Sequence, residues 1–130
     1  MRLRAFDPAT ELELRIESDP DRLATGRPVR WLFVVANRSP RPRVLRFASA
    51  QRADVVLAAG GAERYRWSRG RMFAAVLVNQ ELAPGAEWTF ALVDDALSVP
   101  AGSYSVHARL TSEPALPPVG AEVVVHSESD

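Results

Sequence analysis

Apolar and polar residues alternate along most of this chain, and this period of two limits the possible folds more than any other feature. In residues 11–17 the side chains of Leu12, Leu14 and Ile16 fall on one face, and charged residues separate them. Such alternation predicts half-buried strands with one face turned toward a core. The same pattern returns in residues 29–36, 64–68, 87–92, 103–110 and 121–125. We therefore expect an all-β protein.

Turn-forming residues separate the predicted strands at intervals of about ten residues. Gly60-Gly61 predicts a two-residue hairpin, because glycine reaches the positive φ that primed turns require. Residues 43–59 form an extended stretch with an irregularity at residues 49–51, where we predict a bulge. Residues 72–82 fit either a short helix or extended structure, and we favour the extended form.

The number and spacing of these segments predict an immunoglobulin/fibronectin-like Greek-key β-sandwich of seven to eight strands. Tyr104 follows Gly102 at the start of a late strand, where such folds place a tyrosine whose hydroxyl bonds back to the backbone. An ordinary core tyrosine is the alternative. We expect a single domain over residues 1–130, with an ordered core of about residues 10–126 and a frayed tail from His126 onward.

The charge balance and the absence of cysteine restrict the partners and the chemistry. Sixteen basic and sixteen acidic residues cancel, so no long-range field attracts nucleic acid or an anionic membrane. Without cysteine the chain has no disulfides and no thiolate metal ligands. The N-terminal residues lack the apolar run of a secretory signal, and no segment approaches the roughly 20 apolar residues of a membrane span. We expect a cytoplasmic protein that binds neither nucleic acid nor a membrane.

The titratable residues do not form a recognisable catalytic set. His107 lies on the polar face of its predicted strand, and His126 lies in the predicted tail. Asp94 and Asp95 are adjacent, and neighbouring strand residues point to opposite faces. Nucleophilic catalysis needs a nucleophile, a base and a group that orients the base. We therefore expect no enzyme activity, no catalytic or metal-ligating residue and no cofactor.

Several short motifs follow one another in an order that is more specific than any one of them. They are Phe47, Ser49-x-Gln51-x-x-Asp54, Tyr65-Arg66-Trp67-Ser68, Phe73, Leu82-x-Pro84-Gly85-x-Glu87 and Pro100-x-Gly102-x-Tyr104. This order resembles that of the BsuPI-type intracellular proteinase inhibitor family. The chain departs from the family pattern at Ala50, Ala53 and Val55, beside the predicted bulge. The resemblance implies an Ig-like β-sandwich and inhibition of proteinases inside the cell.

A proteinase inhibitor needs no catalytic group, because rigid loops that occupy the enzyme cleft suffice. A count of strand reversals places residues 38–43, 69–72 and 94–101 at one Arg-rich end, stiffened by prolines. The candidate partner-binding residues there are Arg38, Arg41, Arg43, Arg69, Arg71 and Met72. We expect a protein partner, with a serine proteinase as the first candidate. The alternative is a non-inhibitory Ig-like module that binds a protein or assembles through a strand edge.

Overall fold

The computed structural model describes residues 1–128, and every helix or strand found there is a β-strand. The side chains of Leu12, Leu14 and Ile16 are buried, and their charged neighbours point toward solvent. This burial follows the period of two, so the prediction of an all-β protein is confirmed. Within residues 1–128 the structure has no helix with the length and apolarity that a membrane crossing requires.

The described residues contain twelve strands, where the sequence predicted seven to eight. The strands are β1 (Arg2–Asp7), β2 (Leu12–Asp19), β3 (Leu23–Ala24), β4 (Val29–Asn37), β5 (Arg43–Phe47), β6 (Ala53–Ala59), β7 (Ala62–Arg66), β8 (Val78–Leu82), β9 (Glu87–Asp94), β10 (Gly102–Leu110), β11 (Ser112–Glu113) and β12 (Val119–His126). Two of the additional strands, β3 and β11, are only two residues long. Another, β1, lies in the stretch that the sequence left outside the ordered core.

The strands form three sheets. A four-stranded sheet has the order β1-β2-β4-β9, a five-stranded sheet has the order β3-β12-β10-β6-β7, and a three-stranded sheet has the order β11-β5-β8. Every pairing is antiparallel except that of β12 with β3. Trp31 and Phe33 of β4 share one hydrophobic cluster with Leu57 of β6. Trp31 also approaches Tyr65 of β7, with ring centroids 6.3 Å apart. The four-stranded and five-stranded sheets therefore enclose a common core.

The irregularity in residues 43–59 is larger than the predicted bulge. Phe47 pairs with Ser112 and Ala53 pairs with Leu110, so residues 48–52 lie opposite Thr111 alone. Over these residues the chain leaves the three-stranded sheet and enters the five-stranded sheet. Local bonds replace the strand ladder here: the Gln51 backbone N–H donates to Ser49 Oγ at 3.1 Å. Side chains such as serine compete with regular structure in this way.

The predicted turns agree with the structure. Gly60 and Gly61 have φ values of 59° and 77° and connect β6 to β7 as a hairpin, which confirms that prediction. The Tyr104 hydroxyl donates to the Pro100 carbonyl at 2.5 Å, so the predicted bond back to the backbone is also confirmed. His126 belongs to β12 and not to a tail. Residues 129–130 of the predicted tail lie outside the described residues.

Candidate functional site

The three loops that the sequence grouped together do not all lie at one end of the molecule. The Asn37 backbone N–H donates to the Ala86 carbonyl at 2.9 Å, so residues 38–43 lie beside the start of β9. Arg71 Nη2 donates to the Val93 carbonyl at 3.0 Å, near the end of β9. The two ends of this strand are separated by about 20 Å. Arg38, Arg41 and Arg43 are therefore remote from Arg69, Arg71 and Met72, and the predicted single Arg-rich end is wrong.

The reversal count failed because it treated residues 72–82 as a strand that reverses the chain after β7. β7 is antiparallel to β6 and β8 is antiparallel to β5, so β7 and β8 run in the same direction and no net reversal separates them. The chain runs outward over residues 43–59 and returns along β7 for only five residues. The turn after β7 is therefore level with Asp54, in the middle of the outward path, where the Ser68 backbone N–H donates to Asp54 Oδ1. This turn does lie beside residues 94–101, since Arg71 reaches the end of β9.

Residues 71–77, which we call the exposed segment, are neither strand nor helix. Met72 is 98% exposed, Leu77 is 88% exposed and Val76 is 48% exposed. The chain has no charged residue between Met72 and Leu77. Single exposed apolar residues are common on protein surfaces, but a run of them on one segment is typical of a surface that another protein covers.

The start of the exposed segment is fixed by Arg71. Its Nε donates to the Trp67 carbonyl at 2.8 Å, and its Nη2 donates to the Val93 carbonyl. The guanidinium carbon lies 4.3 Å from the centre of the Trp67 ring, a cation–π contact. Trp67 is itself held, because its Nε1 donates to the same Val93 carbonyl at 3.0 Å. Arg71, a candidate contact residue, thus has its guanidinium engaged by the protein itself.

A buried carboxylate holds the turn that precedes the exposed segment. Asp54 is 2% exposed and accepts from the Ser68 hydroxyl at 2.6 Å, from the Ser68 backbone N–H at 3.0 Å and from Arg66 Nη1 at 3.0 Å. Arg66 also donates to Glu63, and Glu63 together with Asp54 raises the pKa of the Arg66 guanidinium above its usual value. A charge-assisted network of this kind fixes the path of the turn.

The middle of the exposed segment is attached at two further points. The Phe73 ring turns inward and lies 5.7 Å from the Trp67 ring, centroid to centroid. The Ala74 carbonyl accepts from the Ala50 backbone N–H at 2.9 Å. Ala50 belongs to the crossover at residues 48–52. Met72 therefore stands between two held neighbours while its own side chain points into solvent.

The motifs that the sequence placed in order meet around this segment. Asp54 of the Ser-x-Gln-x-x-Asp motif binds Ser68 and Arg66 of the Tyr-Arg-Trp-Ser motif, and Trp67 of the latter contacts Phe73. Sequence reasoning did not foresee these contacts. The available signal was the order of the motifs along the chain, and that order does not show which residues are in contact.

A buried tyrosine hydroxyl is bonded to the last residue of β9, close to the exposed segment. The Tyr65 hydroxyl donates to Asp94 Oδ2 at 2.7 Å and accepts from Trp31 Nε1 at 3.4 Å. Burial, together with the hydrogen bond to Asp94, raises the pKa of Tyr65 above the usual range of a phenol. Arg69, at the surface nearby, is paired with Glu63 at 2.5 Å. The charged groups around the exposed segment are thus bonded to one another.

The loop of residues 38–43 is organised by Asn37, which is completely buried. Asn37 Nδ2 donates to the carbonyls of Arg41 and Leu82 at 2.8 and 3.0 Å. Its Oδ1 accepts from the backbone and hydroxyl of Ser39 at 3.0 and 2.7 Å. Arg43 Nε donates to Ser39 Oγ at 3.2 Å. Among the candidate arginines of this loop, Arg38 lies 3.5 Å from Glu13 and Arg41 is exposed.

The described residues offer little for catalysis or metal binding. Within residues 1–128 no group of three or more His, Asp or Glu side chains is arranged to hold a metal ion. His107 is exposed and lies with Asp54, Arg66 and Arg109 around a depression on the five-stranded sheet. The Asp54 carboxylate is occupied by its hydrogen bonds to Ser68 and Arg66.

Comparison with known proteins gives one family and one fold. Residues 11–115 match the family described as BsuPI, intracellular proteinase inhibitor. No curated protein matches the chain. Among solved structures, the chain is similar to Pseudomonas fluorescens alkylpurine DNA glycosylase AlkC bound to DNA containing an abasic site analog, with a TM-score of 0.50 and 13% sequence identity. The likeness covers 90% of this chain and 31% of the glycosylase chain, and at such low identity it concerns the fold alone.

Proposed function

The chain belongs to the BsuPI family of intracellular proteinase inhibitors, and from this membership we propose that it binds and inhibits a proteinase through the exposed segment, residues 71–77. One observation carries the proposal: Met72 is 98% exposed while Arg71 and Phe73, on either side of it, are held against Trp67. A side chain presented in this way is available to a partner without rearrangement of the segment.

The physical basis of the proposal is the low cost of ordering. A flexible loop loses conformational freedom when it enters an enzyme cleft, and that loss weakens binding. The exposed segment is already restrained by Arg71, by Phe73 and by the bond from Ala50 to Ala74. Inhibition by occlusion of the cleft requires no chemical step, so we propose that the protein acts without enzymatic activity, metal or cofactor.

The scaffold that presents the segment is, in this proposal, a single Ig/fibronectin-like Greek-key domain that works in the cytoplasm. A core shared by two sheets and the tyrosine corner at Tyr104 support that fold. The absence of cysteine is compatible with a reducing compartment. The balanced charge of the chain gives no support to nucleic-acid binding.

The geometry favours Met72 over the candidate arginines as the contact residue. Arg69 and Arg71 are paired with Glu63 and with the carbonyl of Val93, so we assign them to the support of the segment. The loop of residues 38–43 lies about 20 Å away along β9 and takes no part in the proposed contact.

Titration of a subtilisin-like serine proteinase with the purified protein tests the proposal. We expect stoichiometric loss of proteinase activity, with mass spectrometry showing that the inhibitor is cleaved far more slowly than a substrate. A double variant with Met72→Asp and Leu77→Asp should lose inhibition, because it places charge on the apolar surface. The matched control is Arg41→Asp in the remote loop, which should inhibit like the unchanged protein. If the proteinase keeps its full activity, or digests the protein rapidly, the result would favour a non-inhibitory protein-binding module.

A further inference from the structure

We propose that Met72 is the side chain that enters the primary specificity pocket of the target, and that the target is therefore a proteinase whose pocket is apolar and uncharged. This inference rests on the proposed function and names the class of enzyme that the exposed segment fits. It excludes proteinases that select basic residues through an acidic group at the base of the pocket.

A side chain enters a pocket at least cost when it has no bonds to its own protein to give up. Arg71 would have to give up its bonds to the carbonyls of Trp67 and Val93 and its contact with the Trp67 ring. Arg69 would have to leave Glu63. Met72 makes no such contact within the described residues and is 98% exposed. Entry of Met72 therefore costs no internal bond.

The chain is held on both sides of Met72. Arg71 fixes the backbone before it, and Phe73 and the Ala74 carbonyl fix the backbone after it. A substrate separates from the enzyme once its peptide bond is cut, because the new ends move apart. Here both sides of the bond between Met72 and Phe73 remain attached to the protein, so a cut segment stays in position. This arrangement is that of an inhibitor which is cleaved slowly and not released.

The methionine side chain determines which pocket it fits. The thioether of methionine is unbranched and apolar, and it adapts its shape to apolar surfaces of different depth. An acidic pocket filled by Met72 would keep a buried carboxylate without a partner, which strongly disfavours the complex. The other exposed side chains of the segment, Val76 and Leu77, are also uncharged. From Met72 to Leu77 the segment therefore presents no charge, and its one cation, Arg71, is bonded to the Trp67 and Val93 carbonyls.

The test compares two serine proteinases of known pocket, one apolar and one acidic, by measurement of inhibition constants. The unchanged protein should inhibit the apolar-pocket enzyme and leave the acidic-pocket enzyme active. Met72→Arg should weaken inhibition of the apolar-pocket enzyme by about a hundredfold and create inhibition of the acidic-pocket enzyme. Met72→Leu should stay within a few fold of the unchanged protein. Because the Met72 side chain is in solvent, circular dichroism and thermal midpoints should be the same for all of these proteins.

The outcomes separate this inference from the proposed function. If the unchanged protein inhibits but Met72→Arg leaves both constants as they were, the assignment of Met72 is overturned while the proposed function stands. If the unchanged protein inhibits the acidic-pocket enzyme more tightly, the enzyme class is overturned. If it inhibits neither enzyme, the proposed function falls and takes this inference with it. Slow cleavage found by mass spectrometry between Met72 and Phe73 would support the assignment directly.

Discussion

Residues 38–43 and the exposed segment are both surface connections organised by one buried polar side chain, and they present different chemistry to solvent. Asn37 holds its loop in place through a neutral amide that hydrogen-bonds backbone groups of Arg41, Leu82 and Ser39. Asp54 holds the turn before the exposed segment through a charged carboxylate that bonds Ser68 and Arg66. The first loop displays arginine and proline, whereas the second displays Met72 and Leu77.

The comparison shows that a high content of arginine in a loop does not by itself mean that the arginines are free to contact a partner. Arginine has a long apolar stem and five donors, so it readily forms internal contacts that remove it from a partner's reach. Arg71 is such a case, with its guanidinium stacked on Trp67. The exposed segment depends on charged residues for its shape and on uncharged residues for its surface. Variants of Asp54 and Asn37, and of residues close to them, test whether charged residues set the shape of the exposed segment.

The largest effect is expected for Asp54→Ala. The change leaves the Ser68 hydroxyl, the Ser68 N–H and part of the Arg66 guanidinium without their acceptor, and we expect the free energy of unfolding to fall by about 3 kcal/mol. Urea denaturation measures this loss. We also expect the exposed segment to be cleaved faster by the target proteinase, because its preceding turn is no longer held.

Asp54→Asn is the matched control, since it keeps the size of the side chain and one acceptor oxygen. It should lose less stability than Asp54→Ala, and it should be cleaved at an intermediate rate. If both variants inhibit as tightly as the unchanged protein under conditions where they remain folded, Asp54 does not position the exposed segment.

A smaller effect, confined to stability, is expected for Asn37→Ala. Loss of the amide leaves the carbonyls of Arg41 and Leu82 without that donor, and we expect a cost of about 2 kcal/mol in urea denaturation. Inhibition measured well below the thermal midpoint should not change, because the loop is remote from the exposed segment. A loss of inhibition in step with the loss of stability would show that the two regions are not independent.

Alternation in the sequence predicted the strands that build the core, and glycine predicted the hairpin at Gly60 and Gly61. The sequence did not predict the edge strand β1, because its alternation is short and Phe6, on its outer face, is half exposed. The contacts that hold the exposed segment were not predicted for a different reason. Asp54 meets Ser68 across fourteen positions, and nothing in the local sequence of either residue specifies its partner.

Met72 was a candidate in the sequence, but the pattern alone did not separate it from the arginines around it. The separation depends on side-chain contacts: the arginines have partners such as Glu63 and Trp67, and Met72 does not within the described residues. Alternation specifies which face of a strand is buried. It contains no information on irregular segments, where tertiary contacts decide exposure.

A still smaller effect is expected for Tyr65, the buried phenol beside the exposed segment. Tyr65→Phe removes the hydrogen bonds to Asp94 and Trp31 and should cost about 1 kcal/mol at neutral pH. The pKa of Tyr65 is raised in the folded state, so its stabilising effect is complete below the ordinary phenol pKa of about 10 and declines as the pH rises above it. Urea denaturation at pH 8 and pH 11 should show the difference between the two proteins shrinking. A difference that grows at high pH would contradict this assignment.

The smallest effect is expected for Glu63→Gln, at the outer edge of the same network. Glu63 accepts from Arg66 and Arg69 at the surface, and its pKa is lowered chiefly by the hydrogen bond from Arg66. Any stability from this carboxylate is present above its ordinary pKa and is lost as the pH falls through the lowered value. Since exposed ion pairs contribute little, the variant and the unchanged protein should have nearly equal thermal midpoints at pH 7, and any small gap should close in acid. Inhibition should also persist, because Asp54 still holds Arg66; a large loss would mean that the surface pairs, and not the buried carboxylate, set the shape of the exposed segment.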